Sequence, residues 1–193
     1  MRWQQLFADL AGRFDEMADE AMMAELADRQ RLAAGSVLMV QRLRGAVGVT
    51  VRVRTNGGPV VSGAVRGAGP DWLLLSQPGW AELLVALQAV TAVEGLTVAS
   101  AEPLSDVALR LDLRHALRGI ARDRAPVIVT VGGPAVAPAG GGVEMTGTID
   151  RVGADFLEVA QHAPWEPRRA STVRSVALVP LSAVITVRAM PAG

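Results

Sequence analysis

One stretch of this chain is written twice. Ser62-Gly63-Ala64-Val65-Arg66-Gly67-Ala68-Gly69-Pro70-Asp71-Trp72-Leu73 lies over Thr146-Gly147-Thr148-Ile149-Asp150-Arg151-Val152-Gly153-Ala154-Asp155-Phe156-Leu157 without a gap. Two glycines, an aspartate and a leucine coincide, and Trp72 falls on Phe156. Leu84–Val93 then lies over Leu178–Val187, with Leu, Val, Leu, Ala, Val and Val identical. Leu43-Arg44-Gly45 precedes the first copy and Leu117-Arg118-Gly119 the second. Self-similarity of this kind means one structural unit made twice. The units span residues 47–95 and 125–189, each preceded by a helix. The second copy carries two longer loops, at 132–142 and 162–174.

Within each unit the apolar period is two. Val49, Val51 and Val53 alternate with Thr50, Arg52 and Arg54, the pattern of a half-buried strand. Asn56-Gly57-Gly58-Pro59 is a hairpin-type turn. Val60–Arg66 and 71–75 read as further strands, and 82–93 as continuous strand. Val127–Val131, Met145–Ile149, Asp155–Val159 and Val176–Val187 repeat the set. Glycine, proline and alanine at 132–142 read as a featureless loop. Ser105 is placed to cap a helix running to about Arg122, and a second helical stretch covers roughly 30–45. Residues 2–29 read as an amphipathic helix. Trp3, Phe7, Leu10, Phe14, Met17, Ala21 and Ala24 follow a 4-3 spacing. That stripe suits either packing on the chain's own body, the first choice, or a short dimer interface.

The shared residues have structural roles. Gly63 and Gly147 fall inside strands, where glycine marks a bend or bulge. Gly69 and Gly153 precede Asp71 and Asp155 by two residues, which predicts a turn with positive φ and an aspartate bonded to it. A helix followed by five bent strands is the recipe for a small, strongly curved barrel. The fold expected is therefore mainly β with helices (α+β): two tandem Sm-like or SH3-like β-barrels. The segments are a helix at 1–29, a helix plus barrel at 30–100 and a helix plus barrel at 101–193.

The pattern hydrophobic-x-Gly-x-hydrophobic-x-x-hydrophobic-Gly-x-Asp-hydrophobic-Leu, followed by two short apolar strands, resembles the Sm-like (LSm) family. The resemblance covers most of 30–95 and 104–189. That family includes a bacterial host-factor RNA chaperone, so it implies RNA as a ligand. The base-gripping residues are not carried over. The family's asparagine, four residues past the aspartate, is Leu75 in one copy and Val159 in the other, and its Arg-Gly is Glu94-Gly95 and Arg188-Ala189.

Composition narrows the chemistry. Positive and negative residues balance at 19 each, so no whole-chain field draws in nucleic acid or anionic lipid. All 19 cations are arginine, as GC-rich coding would give, and cysteine is absent. Schiff-base, P-loop-lysine and thiolate chemistry are therefore excluded. No apolar run nears the ~20 residues of a membrane span, and 1–10 is not a signal peptide; a soluble, cytoplasmic protein is expected. His115 and His162 stand beside no motif. Glu158, His162 and Glu166 have weak spacing for a metal and are rejected. No catalytic residue, metal or cofactor is expected.

Two functions from different classes follow. The first is a non-catalytic interaction or scaffold protein that assembles through strand edges and N-terminal helices. Its partner is itself, most simply as a homodimer, or another protein, and no membrane is involved. The apolar strands 83–87 and 176–179 hold no charge to guard an edge. Trp3, Phe7, Leu10, Phe14 and Met17 are the candidate helix interface. The second function, ranked lower, is RNA binding through Arg52, Arg54, Arg66 and the loop 162–174. In that loop Trp165, Arg168, Arg169 and Arg174 are the candidate contacts.

Overall fold

The computed structural model describes residues 13, 16, 17, 19–29, 31, 35–77, 82–132, 142–166 and 168–190. The chain divides into two units, Met1–Leu38 and Met39–Gly193. In the first, residues 19–29 are helical, with Arg29 paired to Glu25 one turn away at 2.7 Å. Met17, Met22 and Met23 are exposed. Trp3, Phe7, Leu10 and Phe14 lie outside the described residues, as does most of the loop 132–142.

The second unit is mainly β. In chain order it runs α1 (Met39–Arg44), β1 (Thr50–Thr55), β2 (Val61–Ala68), β3 (Trp72–Ser76), β4 (Glu82–Ala86) and β5 (Val90–Glu94). Then come α2 (Asp106–Leu109), α3 (Leu113–Asp123), β6 (Val127–Val131), β7 (Val143–Val152), β8 (Phe156–Gln161), β9 (Ser175–Pro180) and β10 (Val184–Ala189). All ten strands form one antiparallel sheet in the order β5-β1-β2-β3-β4-β10-β6-β7-β8-β9. The two tandem units expected as barrels are joined in a single open sheet, because β4 pairs across to β10 and leaves β5 and β9 as ends.

The two halves have the same internal order and register. Val51 lies opposite Gly63 as Val127 lies opposite Gly147. Val65 faces Leu75 as Ile149 faces Val159, and the next residue, Arg66 or Asp150, is bulged in both. Leu73 faces Val85 as Leu157 faces Val179. The repeat read from the sequence is therefore a repeat of structure.

The strand run predicted over 82–93 is broken by a short 3-10 turn at Leu87–Ala89, and that over 176–187 by one at Leu181–Ala183. Each turn is held by the amide after the strand: Leu87 N–H donates to Asp71 O (2.9 Å), and Leu181 N–H to Asp155 O (2.8 Å). The kink sends the last strand of each half back to pair with its first. The helix predicted from Ser105 to Arg122 is likewise two helices. Ser105 Oγ accepts from Ala108 N–H as expected, but Asp112 starts a new helix by accepting from His115 N–H at 2.9 Å.

The repeat glycines answer to crowding. A Cβ on Gly147 would stand 2.0 Å from Ala160 O, and one on Gly63 2.6 Å from Ser76 O. Gly69 and Gly153 do not take the positive φ expected of them; among the described residues the glycines that do are Gly48, Gly57 and Gly95. They are small because the Trp72 and Phe156 rings lie on them: a Cβ would come within 2.2 Å of one ring and 2.4 Å of the other.

Two cores result. The first holds Leu43, Val51, Val53, Val65, Leu73, Leu75, Leu83 and Val85, and the second Leu113, Leu117, Val127, Val129, Ile149, Leu157 and Val159. Each fills one half of the sheet beneath one helix.

Gly147→Ala should lower stability by about 1–3 kcal/mol, since backbone must move to admit the methyl. Gly119→Ala on α3, where a Cβ meets nothing within 4 Å, should raise it by about 0.5–1 kcal/mol. Urea denaturation of both variants measures the contrast, and equal effects would contradict the crowding argument.

Candidate assembly interface

β4 is apolar on both faces because it belongs to both cores. Leu83 and Val85 point into the first, while Leu84 and Ala86 point into the second. Its partner β10 lies in register with Thr186 opposite Val85, Val187 opposite Leu84 and Arg188 opposite Leu83. Leu84 is 3% exposed and Val187 1%. Burying such side chains stabilises by roughly 1.5–3 kcal/mol each. The junction between the halves is thus a strand ladder with apolar core on both faces of β4.

Three side chains tie it further. Trp72 Nε1 donates to Leu111 O at 2.7 Å, so the aromatic of the first half holds the start of α3. Asp71 Oδ1 accepts from Leu113 N–H at 2.7 Å, satisfying one of the free amides at that helix start. Gln88 Nε2 donates to Leu181 O at 2.6 Å. The aspartate predicted to bond its own turn therefore bonds the next half's helix. Burial pushes the Asp71 carboxyl above the usual range, the nearby Asp112 adds to the rise, and the Leu113 N–H works against it. Asp112 lies below its usual range: burial opposes this, but the His115 amide and the Arg114 guanidinium outweigh it.

The ends of the sheet are unlike the junction. At one end, β9 presents Val176 and Leu178 to solvent. At the other, β5 leaves its outer side unpaired, with Glu94 held on β1 by Arg54 at 2.7 Å. This ion pair draws the Glu94 carboxyl below its usual range. Asp155, the copy of Asp71, is exposed near β9. The sequence marked 83–87 and 176–179 alike as unguarded edges. The structure separates them: the first is internal, the second free.

The other sequence candidates are dispersed. Trp165 is 81% exposed. Arg168 makes a two-pronged pair with Asp150, Nε to Oδ1 at 2.8 Å, which raises the guanidinium's proton affinity. With Arg122, Arg124 and Thr148 it lines a shallow cleft that Arg169 and Arg174 do not join. Arg122 and Arg124 were not singled out in the sequence, because their nearness to the 162–174 loop depends on how α3 packs on β7. Arg52 and Arg54 are exposed on β1, and Arg66 sits at the β2 bulge. His162 is buried, with Nε2 2.8 Å from Thr148 Oγ1 and Nδ1 2.9 Å from Ala163 O. His115 is exposed on α3. Among the described residues no three His, Asp or Glu side chains are grouped to hold a metal ion, and no helix is long and apolar enough to cross a membrane.

No protein-family model, curated protein or solved structure matches the chain.

Asp71→Ala should destabilise by about 0.5–2 kcal/mol, the usual loss for a helix cap. Asp71→Asn keeps an acceptor for Leu113 N–H and should lose much less. The sign with pH follows from the raised carboxyl. The folded form holds its proton more tightly than the unfolded chain, so this group's contribution falls as pH rises from the usual carboxylate value through the raised one. Thermal melts between about pH 3 and 7 should show this fall weakened in Asp71→Asn. An unchanged pH dependence would remove Asp71 as its source.

Proposed function

We propose that this chain is a non-catalytic interaction or scaffold protein, built from two fused Sm-like units, whose working surface is its free strand edges. One observation carries the reading. Leu84 and Leu178 are equivalent residues of the repeat, each on the fourth strand of its unit, yet the first is 3% exposed and the second 65%. The internal copy has found a partner strand; the terminal copy waits for one. An open edge of Ser175-Val176-Ala177-Leu178-Val179, without a charge, is a template for pairing. The order β5-β1-β2-β3-β4, repeated as β10-β6-β7-β8-β9, supports the Sm-like resemblance. Leu75 and Val159, at the places of the family's base-gripping asparagine, are wholly buried and cannot reach a base. This favours assembly over the family's RNA chemistry.

Light scattering of the full chain at micromolar concentration should give a mass above that of one chain. Leu178→Lys should lower it toward one chain without shifting the melting midpoint, because the side chain is already in water. A single-chain mass for the parent protein would overturn the reading.

The arginine cleft lends some weight to RNA binding, but Asp150 already occupies Arg168. Generic single-stranded RNA should therefore bind weakly at ~0.15 M salt. Filter retention tighter than micromolar, lost when Arg168, Arg169 and Arg174 become Ala, would put RNA first.

A further inference from the structure

The second unit leaves open a helix surface that the first unit has filled. In the first unit the irregular linker at 97–102 runs across α1 and is held there by its main chain. Arg42 donates to the carbonyls of Thr97, Val98 and Ala99, the last at 3.2 Å. Arg44 Nη1 donates to Glu102 O at 2.6 Å, and Ala101 N–H donates to Gln41 O at 2.9 Å. The crossing is close. A Cβ on Gly45 would stand 2.8 Å from the Ala99 carbonyl and 2.9 Å from Ser100 Cα. Gly45 is therefore the residue that lets a second backbone lie on this helix.

The same three residues recur on α3. Leu117-Arg118-Gly119 repeats Leu43-Arg44-Gly45, and Leu43 and Leu117 are both wholly buried, each in the core of its own half. Arg44 and Gly45 are half-buried under the linker, whereas Arg118 and Gly119 are exposed. A Cβ on Gly119 would meet nothing within 4 Å. Among the described residues the Arg118 guanidinium has no hydrogen-bond or ion-pair partner. A glycine inside a helix weakens it relative to alanine, and among the described residues no contact calls for one here. The linker, which could cover this face, is already committed to α1.

We infer that the α3 face at Arg118 and Gly119 is a docking surface for a non-helical peptide segment of a partner protein, laid across α3 as the linker is laid across α1. Recognition is of the main chain. A peptide carbonyl accepts from Arg118 as Glu102 O accepts from Arg44, and small residues like Ala99 and Ser100 pass over the glycine. His115 stands where Gln41 does and is exposed. Its imidazole can offer an N–H in place of the Gln41 amide, which donates to Ala101 O at 3.3 Å. Ala116 replaces Arg42, so the three carbonyl bonds of that arginine are not repeated. The partner segment is also not tethered, so it is held less firmly than the linker. This surface is separate from the strand edges, and its occupation does not require them to be paired.

The linker itself supplies the probe. A capped synthetic peptide, Leu96-Thr97-Val98-Ala99-Ser100-Ala101-Glu102-Pro103, is titrated into the isotope-labelled full chain while amide NMR shifts are followed. The amides around Gly119 should shift and saturate. Those of α1 should not, because the tethered linker outcompetes free peptide there. Gly119→Ala should weaken binding at least several-fold although it stabilises the fold, which separates loss of the crossing from loss of structure. Arg118→Ala should weaken it as well. Leu178→Lys should leave it unchanged, so this surface and the strand edge can fail separately. No saturable shift at α3 up to millimolar peptide, or equal binding by Gly119→Ala, would overturn the inference. Binding seen only after residues 191–193 are deleted would assign the face to the chain's own end and overturn it too. So would shifts at α3 that single-stranded RNA produces and the peptide does not, lost in Arg118→Ala but kept in Gly119→Ala.

Discussion

The ladder between β4 and β10 is the contact on which the rest depends. Without it the chain would be two five-stranded sheets, the second without the side chains that β4 lends it. With it, Leu84 and Ala86 enter the second core, while Leu83 and Val85 of the same strand lie in the first. An apolar strand that serves two cores cannot carry the alternation of a half-buried strand, and Glu82-Leu83-Leu84-Val85-Ala86 does not. Beside the ladder, the first half also holds the start of α3. Trp72 and Asp71 stand beside β4, and their bonds to Leu111 and Leu113 hold that helix start against the first half. Packing of the second core and continuity of the sheet thus follow from one strand pairing, with the helix start held beside it.

The curvature that allows this pairing comes from features internal to each unit. A bulge at Arg66 or Asp150 bends the second strand. Gly63 or Gly147 lets its neighbour's carbonyl approach more closely than any Cβ would permit. The 3-10 turn after the fourth strand, held by Leu87 or Leu181 N–H, then aims the fifth strand at the first. All three devices recur in both halves.

Much of this was legible. The gapless overlay of 62–73 on 146–157 predicted equivalent strands, and Val51 with Gly63 and Val127 with Gly147 occupy the same ladder positions. Pattern alone could not tell that 82–93 turns at Leu87, because Leu87-Gln88-Ala89 is as apolar as a strand and the turn is made by a backbone bond to Asp71. Gly69 and Gly153 were misread for a related reason. Their partner is an aromatic ring three residues on, and a ring that needs space leaves the same signature as a turn that needs positive φ. Both 83–87 and 176–179 read as bare edges; which of them stays bare depends on pairing between residues about a hundred positions apart (Leu84 with Val187), and strand composition holds no such information.

The differences between the copies sort by position. Residues that act inside a unit are kept: the two glycines, Leu73 and Leu157, Val85 and Val179, Val90 and Val184. Of the three side chains that tie the junction, Asp71 recurs as Asp155, but Trp72 becomes Phe156 and Gln88 becomes Ser182. Physics accounts for the split. The internal junction is formed by two units on one chain, so its effective concentration is high, and it can hold polar ties in a fixed geometry. A strand at the end of the sheet has no permanent neighbour to receive an indole N–H or an amide, and such donors would stay hydrated there. Apolar surface and free backbone groups are what such an edge can keep ready, since ladder bonds and burial are gained only when a neighbour arrives. Val176, Leu178 and the unpaired side of β5 are what this chain presents there.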